Sequence, residues 1–489
     1  MLKRDRLIKT VLLMFLLLLL AARPTVAVVS AETSHANDSD SCDEDELDFD
    51  EYENQVVVKL ADPAQTDVIQ SIATTLNLQV VDTVLASKGI YLLEVAAGGD
   101  ADDLDDQIED GWGAQIVYAE ANYIGDIPEA NPRGSWAWGG SDAAPANTQY
   151  ASELLNLTAA HSASTGTGIV VAVLDTGVQL NHPFFGDALV AGYDFVDDDT
   201  VPDDVNEGID SDGDNLLSEA AGHGTHVAGI VHTVAPAAKI MPLRVLDSDG
   251  AGSIFAIAEA ITYAAENGAD IISLSLGSTF ESDVLEDAVE DAVDQYGVLI
   301  VAAAGNGDTS QRQYPAGFDE EVLAVTSINE HSIKAASANY GCWVDIAAPG
   351  EQIFSAFPVN EYAWWSGTSM ATPFIAGGAA LIMSANNGQR NPQDVLSVIQ
   401  NSADSIASEN PTLIGQLGAG RANFAAAVGV TPELTAIQLQ NVETTSASLT
   451  PFLIWSMAFA TTIALILNRT AGTKIRLVIQ RHKPRFRPN

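Results

Sequence analysis

Apolar and polar positions change their period several times along this chain of 489 residues. Residues 11–22 are a short uncharged apolar run. Residues 39–53 are acidic with few aliphatics and read as a disordered lead-in. Between 55 and 127 the pattern is that of a small α/β unit. Residues 56–60, 90–95 and 117–124 have strand composition, and 63–76 and 101–109 have helical patterns. Residues 131–147, rich in Gly, Pro, Ser and Ala, read as a linker. From 149 to about 430 the runs 169–174, 239–245, 270–274, 298–303 and 322–327 have strand length and little polarity. Helical stretches such as 253–267, 282–295 and 372–384 lie among them. Apolar strands alternating with helices predict a mainly parallel sheet covered on both faces, an α/β fold in three layers.

The ends carry a different message. A basic head over 1–9, the apolar run, and Val29-Ser30-Ala31 have the form of a signal peptide over 1–31; an uncleaved anchor is the alternative. Either form implies export. Residues 431–450 are a polar stalk. An uncharged segment over 451–468 then has the minimum length for a membrane helix, and the 469–489 tail holds seven Lys and Arg with no acid. Retention of positive charge on the cytoplasmic side predicts a single-pass anchor with the bulk outside. A processed sorting tail has the same pattern and stays open.

The formal net charge is −45, from 66 acidic and 21 basic residues. Five basic residues precede position 24 and seven follow from Arg469, which leaves nine for everything between. So acidic a surface repels nucleic acid. The two cysteines, Cys42 and Cys342, exclude a disulfide framework and a Cys-based zinc site; Cys342 reads as a small buried hydrophobe.

Functional groups in an open parallel sheet gather beyond the strand C-termini. Three motifs stand at such ends: Leu174-Asp175-Thr176-Gly177, Ser273-Leu274-Ser275-Leu276-Gly277 and Ala302-Ala303-Ala304-Gly305-Asn306. Two more open helices: Gly222-His223-Gly224-Thr225-His226-Val227-Ala228-Gly229, and Ser366-Gly367-Thr368-Ser369-Met370-Ala371-Thr372-Pro373. Acyl transfer needs a nucleophile, a base near neutral pKa, an acid to orient that base, and fixed donors for the oxyanion. The chain offers a candidate for each. A lipase or esterase would carry its nucleophile in G-x-S-x-G, and Ser369 sits instead in Gly367-Thr368-Ser369-Met370-Ala371.

These motifs, in the order Asp, His, Ser, resemble the subtilase family over residues 149–430, and 344–350 (VDIAAPG) resembles it as well. The resemblance implies a subtilisin-like fold and a secreted or surface-anchored serine endopeptidase acting on extended protein segments. It implies that Asp175 orients the imidazole, His223 is the base, Ser369 attacks, and Asn306 with the Ser369 amide binds the oxyanion. Gly250, Ala251 and Gly252 on one side, and Ser275, Leu276 and Gly277 on the other, match the strands that flank a substrate. Ala303, Ala304 and Gly305 match a wall of the S1 pocket, and Gln313 falls near its floor. His226 is assigned a structural place. A non-catalytic surface protein using this fold for binding is the rival; the complete triad and Asn306 weigh against it.

Residues 55–127 resemble the inhibitor-like subtilase prodomain, chiefly through 117–124 (VYAEANYI), and residues 128–148 link it to the catalytic unit. This implies that the chain's own prodomain is an inhibitory partner, cut off between about 127 and 150. No cofactor is required for the chemistry. Structural calcium is suggested by Asp210, Asp212 and Asp214 with Glu219 beyond, since alternating oxygen ligands suit that ion; an acidic solvated loop is the alternative. The calcium loop the family often uses is missing after the His223 motif, and Phe184 stands where it often has an aspartate.

Overall fold

The structure is a computed structural model and describes residues 51–95, 104–128, 137–211, 215–319, 321–385 and 391–430. The signal peptide, most of the acidic lead-in, the stalk, the membrane segment and the basic tail lie outside these residues, as do Cys42, Asp212 and Asp214.

Seven parallel strands form the central sheet, in the order Ile346–Pro349, Val322–Ile328, Leu299–Ala303, Ile271–Leu274, Val170–Asp175, Lys239–Arg244 and Tyr193–Asp194. Its strands alternate between two cores over most of the sheet, while Ile328 and Ala347 near one edge join a small third cluster with Ile406 and Leu417. Val171, Val173, Ile271, Val301 and Val325 pack on the side of the helices His223–Val234 and Thr368–Ala385. Ala172, Leu174, Ile272, Ile300 and Ala324 pack on the side of Ile254–Glu266 and Asp283–Asp294. A strand has period two, so burial on both faces demands an unbroken apolar run. Thr368–Ala385 is long and apolar enough to cross a membrane, yet it runs through the protein interior. Val170–Asp175 has the strand that follows it in the sheet, Lys239–Arg244, on one side and Ile271–Leu274 on the other. Strand order reverses there, which opens a crevice at the strand ends.

The N-terminal unit is an antiparallel sheet of Leu78–Asp82, Ile90–Val95, Glu51–Leu60 and Ile116–Asp126, covered by the helices Thr66–Leu76 and Leu104–Trp112. Val56, Val58 and Leu93 face its own helices, whereas Val57, Leu92 and Tyr118 join the core around Ile254–Glu266. Both faces of this sheet are therefore used.

Three sequence readings need correction. Residues 51–53 of the acidic lead-in belong to the strand Glu51–Leu60. Part of the linker is ordered: Ala137–Gly140 pairs with Glu361–Trp365, and Ala144–Thr148 is a helical turn. Aromatic rings supply the missing hydrophobicity, with Trp138 against Phe357. Cys342 is exposed rather than buried. Helix limits also moved: 101–109 became Leu104–Trp112, and 372–384 became Thr368–Ala385, because Pro373 lies within the helix and did not start it.

Candidate active site

Asp175 ends the strand Val170–Asp175, and His223 opens the helix His223–Val234. Their side chains meet with Nδ1 of His223 at 2.7 Å from Oδ1 of Asp175, both fully buried. A carboxylate only accepts, so the imidazole proton sits on Nδ1. Oδ1 also accepts the Thr176 amide at 2.8 Å. The approach needs Gly224, where a Cβ would come within 2.1 Å of the Gly177 carbonyl oxygen and 3.1 Å of Asp175 Oδ1. Trp365 stands edge-on to the His223 ring, with centroids 5.2 Å apart. His226, one turn along, donates from Nε2 to the carbonyls of Ile353 (3.1 Å) and Ala363 (3.2 Å). Burial pushes it down to about 3, so it is a neutral fastening between helix and hairpin.

Ser369 is the second residue of Thr368–Ala385, in the amide-rich first turn. Its hydroxyl donates to the Ser275 carbonyl at 3.2 Å, and the Ser275 hydroxyl donates to the Ser369 carbonyl at 2.9 Å. Pro373 has no N–H to offer that carbonyl four residues back, and Ser275 takes the vacant role. Asn306 is oriented by Thr368, whose amide (3.0 Å) and hydroxyl (3.2 Å) both donate to its Oδ1. The donor end of the carboxamide is thereby turned away from Thr368. The Gly305 amide also reaches the Thr368 hydroxyl, at 3.2 Å.

The end of the N-terminal unit lies in the cleft. Asp126 pairs with Ala251 and Gly125 with Gly252 in an antiparallel ladder. On its other side Asp126 exchanges backbone hydrogen bonds with Gly277, and the Ile127 amide donates to the Gly250 carbonyl at 3.2 Å. Four of the substrate-binding candidates, Gly250, Ala251, Gly252 and Gly277, thus touch one extended segment. Ser275 contacts Ser369, and Leu276 is buried in the core. Ala303 and Ala304 are tied to the Val322–Ile328 strand. Gly305 faces Gln313, whose Oε1 would lie 2.1 Å from a Cβ placed there.

Side chains of the N-terminal unit also cap two helices of the catalytic unit. Glu120 accepts from the Val284 amide (2.9 Å), the Asp283 amide and the Ser282 hydroxyl (both 3.0 Å). Asn122 accepts from the Ser253 hydroxyl at 3.0 Å and the Phe255 amide at 3.2 Å. Lys88 pairs with Asp291 at 2.7 Å. Of the calcium candidates, Asp210 and Glu219 are described. Asp210 Oδ2 accepts the Asn215 amide at 3.2 Å, and no group of three His, Cys, Asp or Glu side chains converges among the described residues.

Sequence reading missed Asp204, a buried carboxylate facing the start of the His223 helix, and Trp365. Neither stands in a motif. Asp204 is one acid among many in residues 197–204.

Residues 166–429 match the subtilase family, and residues 48–122 match the fervidolysin N-terminal prodomain. The chain is 40% identical to thermitase of Thermoactinomyces vulgaris over 269 residues, which cover 53% of this chain and 89% of thermitase. It is 38% identical to subtilisin BL of Lederbergia lenta over 262 residues, covering 52% of this chain and 90% of that one. Among solved structures, fervidolysin from Fervidobacterium pennivorans shares the fold, with a TM-score of 0.63 at 24% identity over 80% of this chain and 63% of that one. A Pseudoalteromonas arctica protease structure gives a TM-score of 0.51 at 31% identity, covering 56% of this chain and 93% of its own. With more than half of its length matched and an Asp, a His and a Ser at the strand and helix ends where the sequence motifs placed them, this chain belongs to the subtilase family of serine endopeptidases.

Proposed function

We propose that Asp175, His223 and Ser369 are the catalytic triad of this endopeptidase and that Asn306, with the Ser369 amide, is its oxyanion hole. The observation that carries this is the buried 2.7 Å contact of His223 Nδ1 with Asp175. It fixes the tautomer in which Nε2 is the basic nitrogen. His223 takes the Ser369 proton as Oγ attacks the scissile carbonyl, and Asp175 stabilises the imidazolium that forms. The proton then passes to the leaving amine. Water, activated by the same imidazole, hydrolyses the acyl-enzyme. Negative charge on the carbonyl oxygen grows toward the Asn306 carboxamide and the first-turn amide of Ser369, donors already in place.

Substrates enter as a strand between Ala251–Ser253 and Gly277. Backbone pairing supplies affinity there, and side-chain pockets supply selectivity. The segment 124–127 occupies this position in the full chain, which supports a prodomain that inhibits until it is cut. Export, and anchorage by residues 451–468, rest on the sequence pattern alone, as does calcium at Asp210, Asp212, Asp214 and Glu219. An organofluorophosphonate should label the processed protein and leave a Ser369→Ala variant untouched. Labelling that persists in the variant overturns the assignment.

A further inference from the structure

We propose that Asp204 is a positioning residue for His223: it ties the first turn of the histidine helix to the end of the Asp175 strand, and so sets the angle at which imidazole meets carboxylate. The proposal rests on the triad assigned above.

The first amides of a helix have no intrahelical acceptor and need one from elsewhere. The position before His223 is Gly222, which has no side chain to serve as a cap. Asp204, 18 residues upstream, serves instead. Its Oδ1 accepts the Gly222 amide at 2.9 Å, and its Oδ2 accepts the Thr225 amide at 3.0 Å and the Thr225 hydroxyl at 2.6 Å. Of the other two amides of this turn, His223 donates to the Ala220 carbonyl at 2.9 Å and Gly224 to Thr176 Oγ1 at 3.0 Å, and that hydroxyl reaches Asp204 Oδ1 at 3.4 Å. Thr176 directly follows Asp175, and its own amide donates to Asp175 Oδ1. A closed ring of bonds therefore runs from Asp175 through Thr176 and Asp204 to the residues on both sides of His223. Asp204 is buried, so no water can replace it without opening the site.

Such a brace acts on alignment, and small misplacement of a catalytic group lowers turnover by up to about 10²-fold. Asp204→Ala should lower kcat for a peptide substrate by about that factor with KM changed less than about twofold, because the substrate strands at 251–253 and 277 do not touch it. Thr176→Val keeps side-chain volume and removes the bridging hydroxyl. It should slow fluorophosphonate labelling of Ser369 by about fivefold, with Thr176→Ser restoring the rate. Wild type that fails to label would reject the triad and not this brace. Wild type that labels, with Thr176→Val and Asp204→Asn labelling equally fast, overturns the brace. If Asp204→Ala does not accumulate as folded protein, the two Thr176 variants still decide.

Discussion

Asp126 and Gly277 exchange two backbone hydrogen bonds, 3.0 Å from the Asp126 amide and 2.9 Å from the Gly277 amide. A residue of the N-terminal unit is thus held by its main chain between Ala251 and Gly277, where the proposed substrate strand would lie. Asp126→Pro removes one of those donors. The inhibition constant of the added prodomain should rise about five- to tenfold. An unchanged constant would place the inhibitory hold elsewhere.

That hold should weaken in alkali. Burial first, then the charge of Asp82 in the N-terminal unit, pushes the Glu259 carboxyl up to about 9 from an ordinary 4.5. Burial likewise pushes Glu120 up to about 7, against the pull of its three hydrogen bonds. A raised carboxyl favours its protonated form in the joined state, so docking takes up protons. The contribution is complete below about 4.5 and is lost as pH rises through about 7 and then about 9. Prodomain dissociation, followed on an inactive Ser369→Ala protein, should therefore be weaker at about pH 6 than at about pH 9. Glu259→Gln should flatten this slope and tighten docking at the alkaline end. A slope that survives the substitution would show that other groups set it.

Asn306 presents its donor end because Thr368 occupies its Oδ1. Asn306→Leu should lower kcat by about 10²–10³-fold, the size known for the oxyanion-hole asparagine of subtilisin itself, and leave KM nearly unchanged. Thr368→Val, which removes one of the two donors that orient the carboxamide, should give a smaller loss in the same parameter. Steady-state kinetics on a chromogenic peptide separates the two terms, and a pure KM effect would count against the role.

Calcium at 210–219 would bind the folded state and raise its stability by mass action. A chelator should lower Tm in the wild type, and Asp210→Asn should reduce that response. If Tm is indifferent to the chelator, the loop is an acidic solvated segment.

The sequence by itself determined the five inner strands of the sheet, their alternation with helices and the five motifs at their ends, but not the edge strands Tyr193–Asp194 and Ile346–Pro349. These are local signals. An apolar run reports a strand buried on both faces, and a glycine beside Asp, His or Ser reports a close approach of backbones. Boundaries at Thr368 and Leu104 were less legible, because buried polar and alanine-rich turns carry little period.

Tertiary structure alone decided what holds those groups in place. Asp204 lies 18 residues from the amide it caps, and Trp365 comes to His223 from a hairpin 142 positions away in a chain numbered to 489. Ala137–Gly140 became a strand only because Glu361–Trp365 gave it an edge to join. Such contacts leave no trace in spacing or composition. They form when the packed cores bring distant segments within hydrogen-bonding reach, and a lone acid or tryptophan has no pattern until they do.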